Sequence, residues 1–143
     1  MSEMKNVLLV TNSTTEGEIV LIKEAFNKAK EQGLRIKLHL VHVIPNLPSC
    51  YFNIPSMVML TEQHYEEAKK ALDLIGEVLG VTKKDQWLIT GKIKTEVPRL
   101  ADKLDTDFIL ASSGSIQDLH KSLFVKKAAH NTPIRSIGSL VSI

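Results

Sequence analysis

The sequence has too few cysteines, too little excess positive charge and too short apolar runs for a disulfide-rich, nucleic-acid-binding or membrane-spanning protein. Its single cysteine, Cys50, excludes an internal disulfide framework. Lysine and arginine total 18 against 16 acidic residues, and a formal net charge of +2 gives no electrostatic case for nucleic acid. No apolar run approaches the ~20 residues that cross a bilayer. We therefore expect neither nucleic acid nor a membrane as a partner. Because Met1 to Asn6 leads directly into a strand rather than a leader peptide, we expect a cytoplasmic location.

Short apolar runs alternate with stretches of helical periodicity along the 143 residues. The run from Val7 to Val10 ends at once in turn-forming residues, which is typical of a strand buried on both faces. Strands that alternate with helices imply right-handed crossovers and a parallel sheet. We therefore predict a single domain, 1–143, with a three-layer flavodoxin-like (Rossmann-like) α/β fold. Its five parallel strands are expected in the order 3-2-1-4-5.

The boundaries of the predicted elements follow from apolar spacing, caps and breakers. Thr15 and Glu18 have the spacing of a capping box, and Gly33 is placed to end the helix that they open. The predicted strands are 7–10, 35–44, 85–90, 107–111 and 134 to about 141, and the predicted helices are 15–33, 56–79, 95–104 and a segment within 118–130.

Polar residues follow strands 1 and 4, where parallel α/β sheets bind ligands. Asn12 and Ser13 come directly after the first strand. The fourth strand continues into a run of small polar residues, Ser112, Ser113, Gly114 and Ser115. We predict that these residues form a ligand-binding rim at one edge of the sheet.

The sequence offers no pattern typical of catalysis or of a metal site. His39 and His42 are three apart on a strand, so their side chains are expected on opposite faces and poorly placed to share a metal. His64 falls on the apolar face of its helix, which favours a core or boundary position. Ser113 is not in a nucleophile-elbow sequence, and Cys50 is interpreted as a loop anchor. We therefore predict no catalytic residues, no metal site and no enzymatic activity.

Several segments together resemble the universal stress protein family. They are the opening KNVLLVTNS, LHLVHVIP at the end of strand 2, and the segment from Gly91 through VPRLA to LDTDFIL. The closing HNTPI, with its histidine followed by a proline and a last strand, is also similar. The resemblance extends over nearly the whole chain. It implies a cytoplasmic α/β domain, usually dimeric, that is linked to survival under stress.

The resemblance also implies where a nucleotide would bind in the ATP-binding branch of that family. That branch has an acidic residue where this chain has Asn12, and a backbone contact to adenine would fall near Val43. Its phosphate loop contains repeated glycines, whereas Gly114 is the only glycine here between Gly91 and Gly138. The chain is therefore more similar to the branch that lacks the ATP-binding glycine motif, and no cofactor is expected.

Two functions remain open from the sequence. The first is a non-enzymatic, dimeric stress-response module that acts through an unidentified protein partner. The second is an ATP-binding protein, either a nucleotide switch or a slow ATPase, that uses Asn12, Val43 and the loop from Ser112 to Ser115. The resemblance places the homodimer contact on strand 5, and the apolar residues expected there are Ile134, Ile137, Leu140 and Val141.

Overall fold

Strands and helices alternate around a parallel sheet, as the apolar pattern predicts. A computed structural model describes residues 4–12, 14–46, 55–112 and 134–136. The strands are β1 (Met4–Val10), β2 (Arg35–Ile44), β3 (Gln86–Thr90), β4 (Phe108–Ala111) and β5 (Ile134–Ser136), and the helices are α1 (Glu16–Glu31), α2 (Pro55–Leu79) and α3 (Ile93–Lys103). The predicted helix within 118–130 lies outside the described residues.

Strand β1 lies between β2 and β4, and all pairings are parallel. The order β3-β2-β1-β4 confirms the prediction for these four strands. Next to β4 lies β5, with Ile134 opposite Ile109. Of the fifth strand predicted to about Val141, the described part is Ile134–Ser136.

The sheet separates two hydrophobic cores. Val7 to Val10 are all fully buried, which confirms two-sided burial of β1. Successive strand residues point to opposite faces, so neighbouring residues of β1 enter different cores. The core on the side of α1 and α2 contains Val7, Leu9, Leu38, Leu40, Leu110, Ile22, Leu72, Ile75 and Val81. The core on the side of α3 contains Leu8, Val10, Val41, Val43, Ile109, Ala111, Val97, Leu100 and Ala101.

Helix α1 begins and ends where its sequence signals predict. The Thr15 hydroxyl accepts a hydrogen bond from the Glu18 N–H at 3.2 Å, and the Glu18 carboxylate accepts one from the Thr15 N–H at 3.0 Å. Ile22 is fully buried on the face that the spacing predicts. Gly33, beyond the end of the helix, has a φ of 84°, a backbone conformation that favours glycine.

Several predicted boundaries are wrong by one to three residues. Strand β1 begins at Met4 rather than Val7, and β4 begins at Phe108 rather than Asp107. Strand β3 begins at Gln86 rather than Asp85, because Lys83–Asp85 form a 3-10 turn. Helix α3 begins at Ile93 rather than Thr95, with Lys92 as its N-cap residue. At β3 and α3, residues predicted as strand or loop thus belong to a helical turn.

The first half of α2 extends beyond the hydrophobic core. Ala68, Leu72 and Ile75 are buried, whereas from Met59 to Glu67 every described side chain is exposed except the partly buried Thr61. The 25 residues of α2 span about 37 Å. The five residues of β3 beneath it span about 17 Å. The prediction of a core or boundary position for His64 is wrong, because His64 is exposed in the part of α2 that precedes the buried Ala68.

Within the described ranges, no helix combines the length and apolar character required to span a membrane.

Candidate functional site at the carboxyl edge of the sheet

Asn12 forms two hydrogen bonds with the backbone of one residue of the neighbouring strand. Its Nδ2 donates to the Val43 carbonyl oxygen at 2.8 Å, and its Oδ1 accepts from the Val43 N–H at 2.9 Å. Val43 is 2% exposed and Asn12 is partly buried. We call this contact the Asn12–Val43 pair. It joins two residues that the sequence placed at the predicted rim.

The pair continues the hydrogen-bond ladder between β1 and β2 past the end of β1. The last residue of β1, Val10, is opposite Val41. The Thr11 N–H then donates to the Val41 carbonyl at 2.8 Å. One step further, the carboxamide of Asn12 replaces a backbone peptide group. A carboxamide can do so because it carries both a donor and an acceptor, whereas an ionised carboxylate only accepts.

Ser112 lies next to this pair at the end of β4. Its hydroxyl donates to the Asn12 carbonyl oxygen at 3.3 Å, and the residue is 4% exposed. Three predicted rim residues, Asn12, Val43 and Ser112, thus lie together at one edge of the sheet. The other predicted rim residues, Ser13, Ser113, Gly114 and Ser115, lie outside the described residues.

Two cavities share Asn12, Val43 and Pro45 in their walls. The first, of about 440 Å³, also has walls from His42 and from the α2 residues His64, Glu67 and Ala68. We call it the α2-side cavity. The second, of about 330 Å³, has walls from Gly91 to Lys94 at the start of α3, and we call it the α3-side cavity. Because α2 and α3 pack on opposite faces of the sheet, the cavities lie on opposite sides of the Asn12–Val43 pair.

The His42 ring is held in place by a chain of two hydrogen bonds. Its Nδ1 lies 3.0 Å from the Thr11 hydroxyl, and that hydroxyl donates to the Val41 carbonyl oxygen at 3.2 Å. Burial lowers the pKa of His42, because the charged ring is less well solvated there. His42 is therefore neutral at physiological pH, at a fixed position in the wall of the α2-side cavity.

Sequence reasoning missed the residues that β3 and α3 bring to the rim. Gly91 follows β3 directly and is buried, and Lys92 and Lys94 are exposed beside it. Their position after a strand of the parallel sheet was the available signal, since ligand sites form at the carboxyl ends of such strands. These lysines give the α3-side cavity a positive charge that the rim serines alone do not supply.

A second polar cluster lies away from the rim, on β2 and around the start of β3. Asp85 forms an ion pair with Lys37 at 2.7 Å, and His39 Nδ1 is 3.6 Å from Asp85 Oδ1, too far for a hydrogen bond. The His39 ring packs against Trp87, with 5.5 Å between ring centroids. Hydrogen bonding to Lys37 lowers the pKa of Asp85.

His39 faces the α3-side core and His42 faces α2, so the two side chains point to opposite faces as predicted. Nowhere in the described part of the chain do three His, Cys, Asp or Glu side chains converge to hold a metal ion.

One curated relative shares clear sequence similarity with the chain. Universal stress protein A homolog 1 of Coxiella burnetii is 35% identical over 89 residues. The match covers 60% of this chain and 62% of that protein, so the similarity spans less than two thirds of the relative's length. No protein-family model matches the chain.

Solved structures with the same fold cover almost the whole chain. Universal stress protein UspA of Lactobacillus plantarum is 13% identical, covers 95% of this chain and 99% of its own, and has a TM-score of 0.64. The universal stress protein of Archaeoglobus fulgidus, solved in complex with dAMP, is 14% identical, covers 95% and 98%, and has a TM-score of 0.53. The curated relative and both solved structures are universal stress proteins, and the chain has the same parallel α/β fold as the two structures.

Proposed function

We propose that the chain is a non-enzymatic universal stress protein that acts in the cytoplasm as a dimeric interaction module and does not use ATP. One observation carries the proposal. The carboxamide of Asn12 occupies both the N–H and the carbonyl oxygen of Val43. The resemblance to the ATP-binding branch assigns that backbone to adenine.

A nucleotide would have to compete with the Asn12–Val43 pair for the same backbone groups. Displacing two neutral hydrogen bonds costs about 1–3 kcal/mol. That is about one to two orders of magnitude in affinity. Ser112 supports the same conclusion, since its buried hydroxyl donates to the Asn12 backbone instead of facing a ligand. The side chains of Asn12 and Ser112 thus bond to the chain's own backbone at the predicted rim, which supports weak or absent nucleotide binding.

The alternative function is ATP binding as a switch or a slow ATPase, and the α3-side cavity favours it. Lys92 and Lys94 contribute positive charge beside that cavity. A structural neighbour with the same fold, the Archaeoglobus fulgidus protein, was solved with dAMP bound. The two functions differ in a measurable quantity, the affinity for Mg-ATP.

Calorimetry of the purified protein with Mg-ATP separates these two functions. We expect no bound nucleotide after purification and a dissociation constant in the millimolar range or weaker. A low micromolar constant that Ser112→Asp abolishes, and that Ser56→Asp leaves unchanged, would overturn the proposal. Ser56 is a matched control because it is an exposed serine at the start of α2 that lines neither cavity at the rim.

The dimer and the protein partner are parts of the same proposal. Strand β5 lies at the outer side of β4, and an unpaired sheet edge invites pairing with another chain. Ile134 is half-buried against the α3-side core of its own chain. The other predicted interface residues, Ile137, Leu140 and Val141, lie outside the described residues. A pull-down from stressed cells tests the interaction role, and we expect a specific protein to be retained.

A further inference from the structure

The α2-side cavity has polar walls that the proposed function does not use. We propose that it binds a small primary ammonium compound with an apolar body, whose N–H groups donate to His42 Nε2 and to the Glu67 carboxylate. The cavity volume of about 440 Å³ is within the range of small-molecule sites. The site lies on the opposite side of the Asn12–Val43 pair from the α3-side cavity.

The hydrogen bonds of Thr11 determine which nitrogen of His42 carries the proton. The Thr11 hydroxyl has one hydrogen, and the Val41 carbonyl oxygen can only accept. For both contacts of this hydroxyl to be hydrogen bonds, His42 Nδ1–H must donate to it. Nε2 of the neutral ring then carries a lone pair, and His42 enters the cavity wall as a hydrogen-bond acceptor.

The opposite wall of the cavity comes from one face of α2. His64 and Glu67 are three residues apart on that helix, so they are neighbours on its surface, and both are exposed. Glu67 adds a negative charge and further acceptor oxygens. Small and apolar residues complete the cavity, namely Ile44, Pro45, Ala68 and Ala71.

The chemistry of these walls selects the class of ligand. An acceptor nitrogen and a carboxylate favour a donor with positive charge and oppose an anion. The apolar residues accommodate methylene groups. The carboxamide of Asn12 is already engaged with Val43, so it does not change this balance. No convergent metal-ligand set exists among the described side chains, which favours an organic cation over a metal ion.

Acid should release the ligand. When Nε2 takes up a proton, His42 becomes a donor and a cation, and it then repels an ammonium group. The titratable groups that face His42 are His64 and Glu67, both on α2.

The test uses the full chain and two singly charged probes that share a butyl chain. n-Butylammonium carries three N–H donors, and butyltrimethylammonium carries the same charge without a donor. We expect saturable changes in the His42 imidazole NMR signals with n-butylammonium and none with the trimethyl compound. We also expect the nitrogen shifts of the free protein to show a protonated Nδ1. Affinity should fall as the pH is lowered through the titration of His42.

Matched variants show which side chains bind the probe. His42→Asn keeps a group that can bond Thr11 and removes the Nε2 acceptor, and Glu67→Gln removes the charge. We expect each to weaken n-butylammonium binding by about tenfold or more. Glu66→Gln, on the neighbouring exposed carboxylate outside this cavity, should leave it unchanged.

Several results would overturn the proposal. They are equal binding of the two probes, absence of saturable shifts at millimolar concentration, and a free protein whose His42 carries its proton on Nε2. Zinc binding that depends on His42 and His64, with no response to n-butylammonium, would identify the cavity as a metal site instead.

Discussion

At the scale of single residues, the Asn12–Val43 pair makes a stability prediction. In Asn12→Asp the carboxylate can still accept from the Val43 N–H, but it cannot donate to the Val43 carbonyl oxygen. A buried carbonyl then faces a negative oxygen. We expect the free energy of unfolding to fall by about 1–3 kcal/mol, measured by urea denaturation.

The control for Asn12→Asp is the same change at an exposed position. Asn27→Asp on α1 introduces a carboxylate four residues after Lys23, where the free energy of unfolding should change by less than about 0.5 kcal/mol. Equal effects of the two substitutions would show that the Asn12–Val43 pair does not stabilise the fold.

His39 makes a prediction about pH. Burial lowers the pKa of His39, while the Asp85 carboxylate opposes that shift and Lys37 adds to it. Because the folded chain binds this proton less readily than the unfolded chain, stability is lost as the pH falls below the ordinary histidine pKa of 6.5. The lowered pKa of His42 acts in the same direction. We expect the free energy of unfolding to decrease between about pH 7 and pH 5.

Trp87, the only tryptophan of the chain, reports this unfolding by fluorescence. His39→Phe keeps an aromatic ring beside Trp87 and removes the titrating group, so it should make the pH dependence shallower. His64→Gln is the control for His39→Phe, because it replaces a histidine that is exposed rather than buried. If His39→Phe and the unmodified chain have the same dependence, the buried ring is not its source.

At the scale of elements, the two glycines within α1 and α2 should respond in opposite ways to alanine. Alanine in place of glycine usually stabilises a helix by about 0.5–1 kcal/mol. At Gly76 of α2, a Cβ would overlap the Gln86 amide and lie 2.9 Å from its Cδ. That amide donates to the Val81 carbonyl at 2.8 Å. We expect Gly76→Ala to lower the melting temperature.

Gly17 of α1 is the matched position. A Cβ there would come no closer than 4.0 Å to the Thr15 hydroxyl, so Gly17→Ala should raise the melting temperature. Two shifts of the same sign would mean that helix propensity alone, rather than the packing of α2 on Gln86, determines the effect.

The length and caps of an element can be read from its own sequence, but its neighbours in space cannot. Continuous apolar character predicted the two-sided burial of Val7 to Val10, because that pattern is local. The periodicity of α2 identified its apolar face. It did not show that the first half of α2, including His64, is exposed, since the burial of a helix depends on strands distant in the sequence.

The same limit applies to the rim. The ends of strands 1 and 4 predicted that Asn12 and Ser112 lie at one edge, because parallel strands end on the same side, and the family resemblance added Val43. That Asn12 and Val43 bind each other depends on the register between β1 and β2. No spacing within either segment contains that information. Gly91 and Lys92 were missed although their position was readable, since they directly follow the predicted third strand.

At the scale of the whole molecule, the sheet edge makes a prediction about assembly. We expect light scattering at micromolar concentration to give twice the 15.9 kDa mass of one chain. Removal of the apolar tail from Gly138 to Ile143 should yield the monomer. A monomeric full chain, or a dimer that survives this deletion, would contradict assembly through strand 5.

The Asn12–Val43 pair also has an evolutionary consequence. Asparagine and aspartate codons differ by one nucleotide, so a single point mutation exchanges the Nδ2 donor of this pair for a negatively charged oxygen. The pair contributes only a few hydrogen bonds to a fold with two extensive cores. One point mutation can therefore remove the side-chain donor of this pair and leave both cores intact.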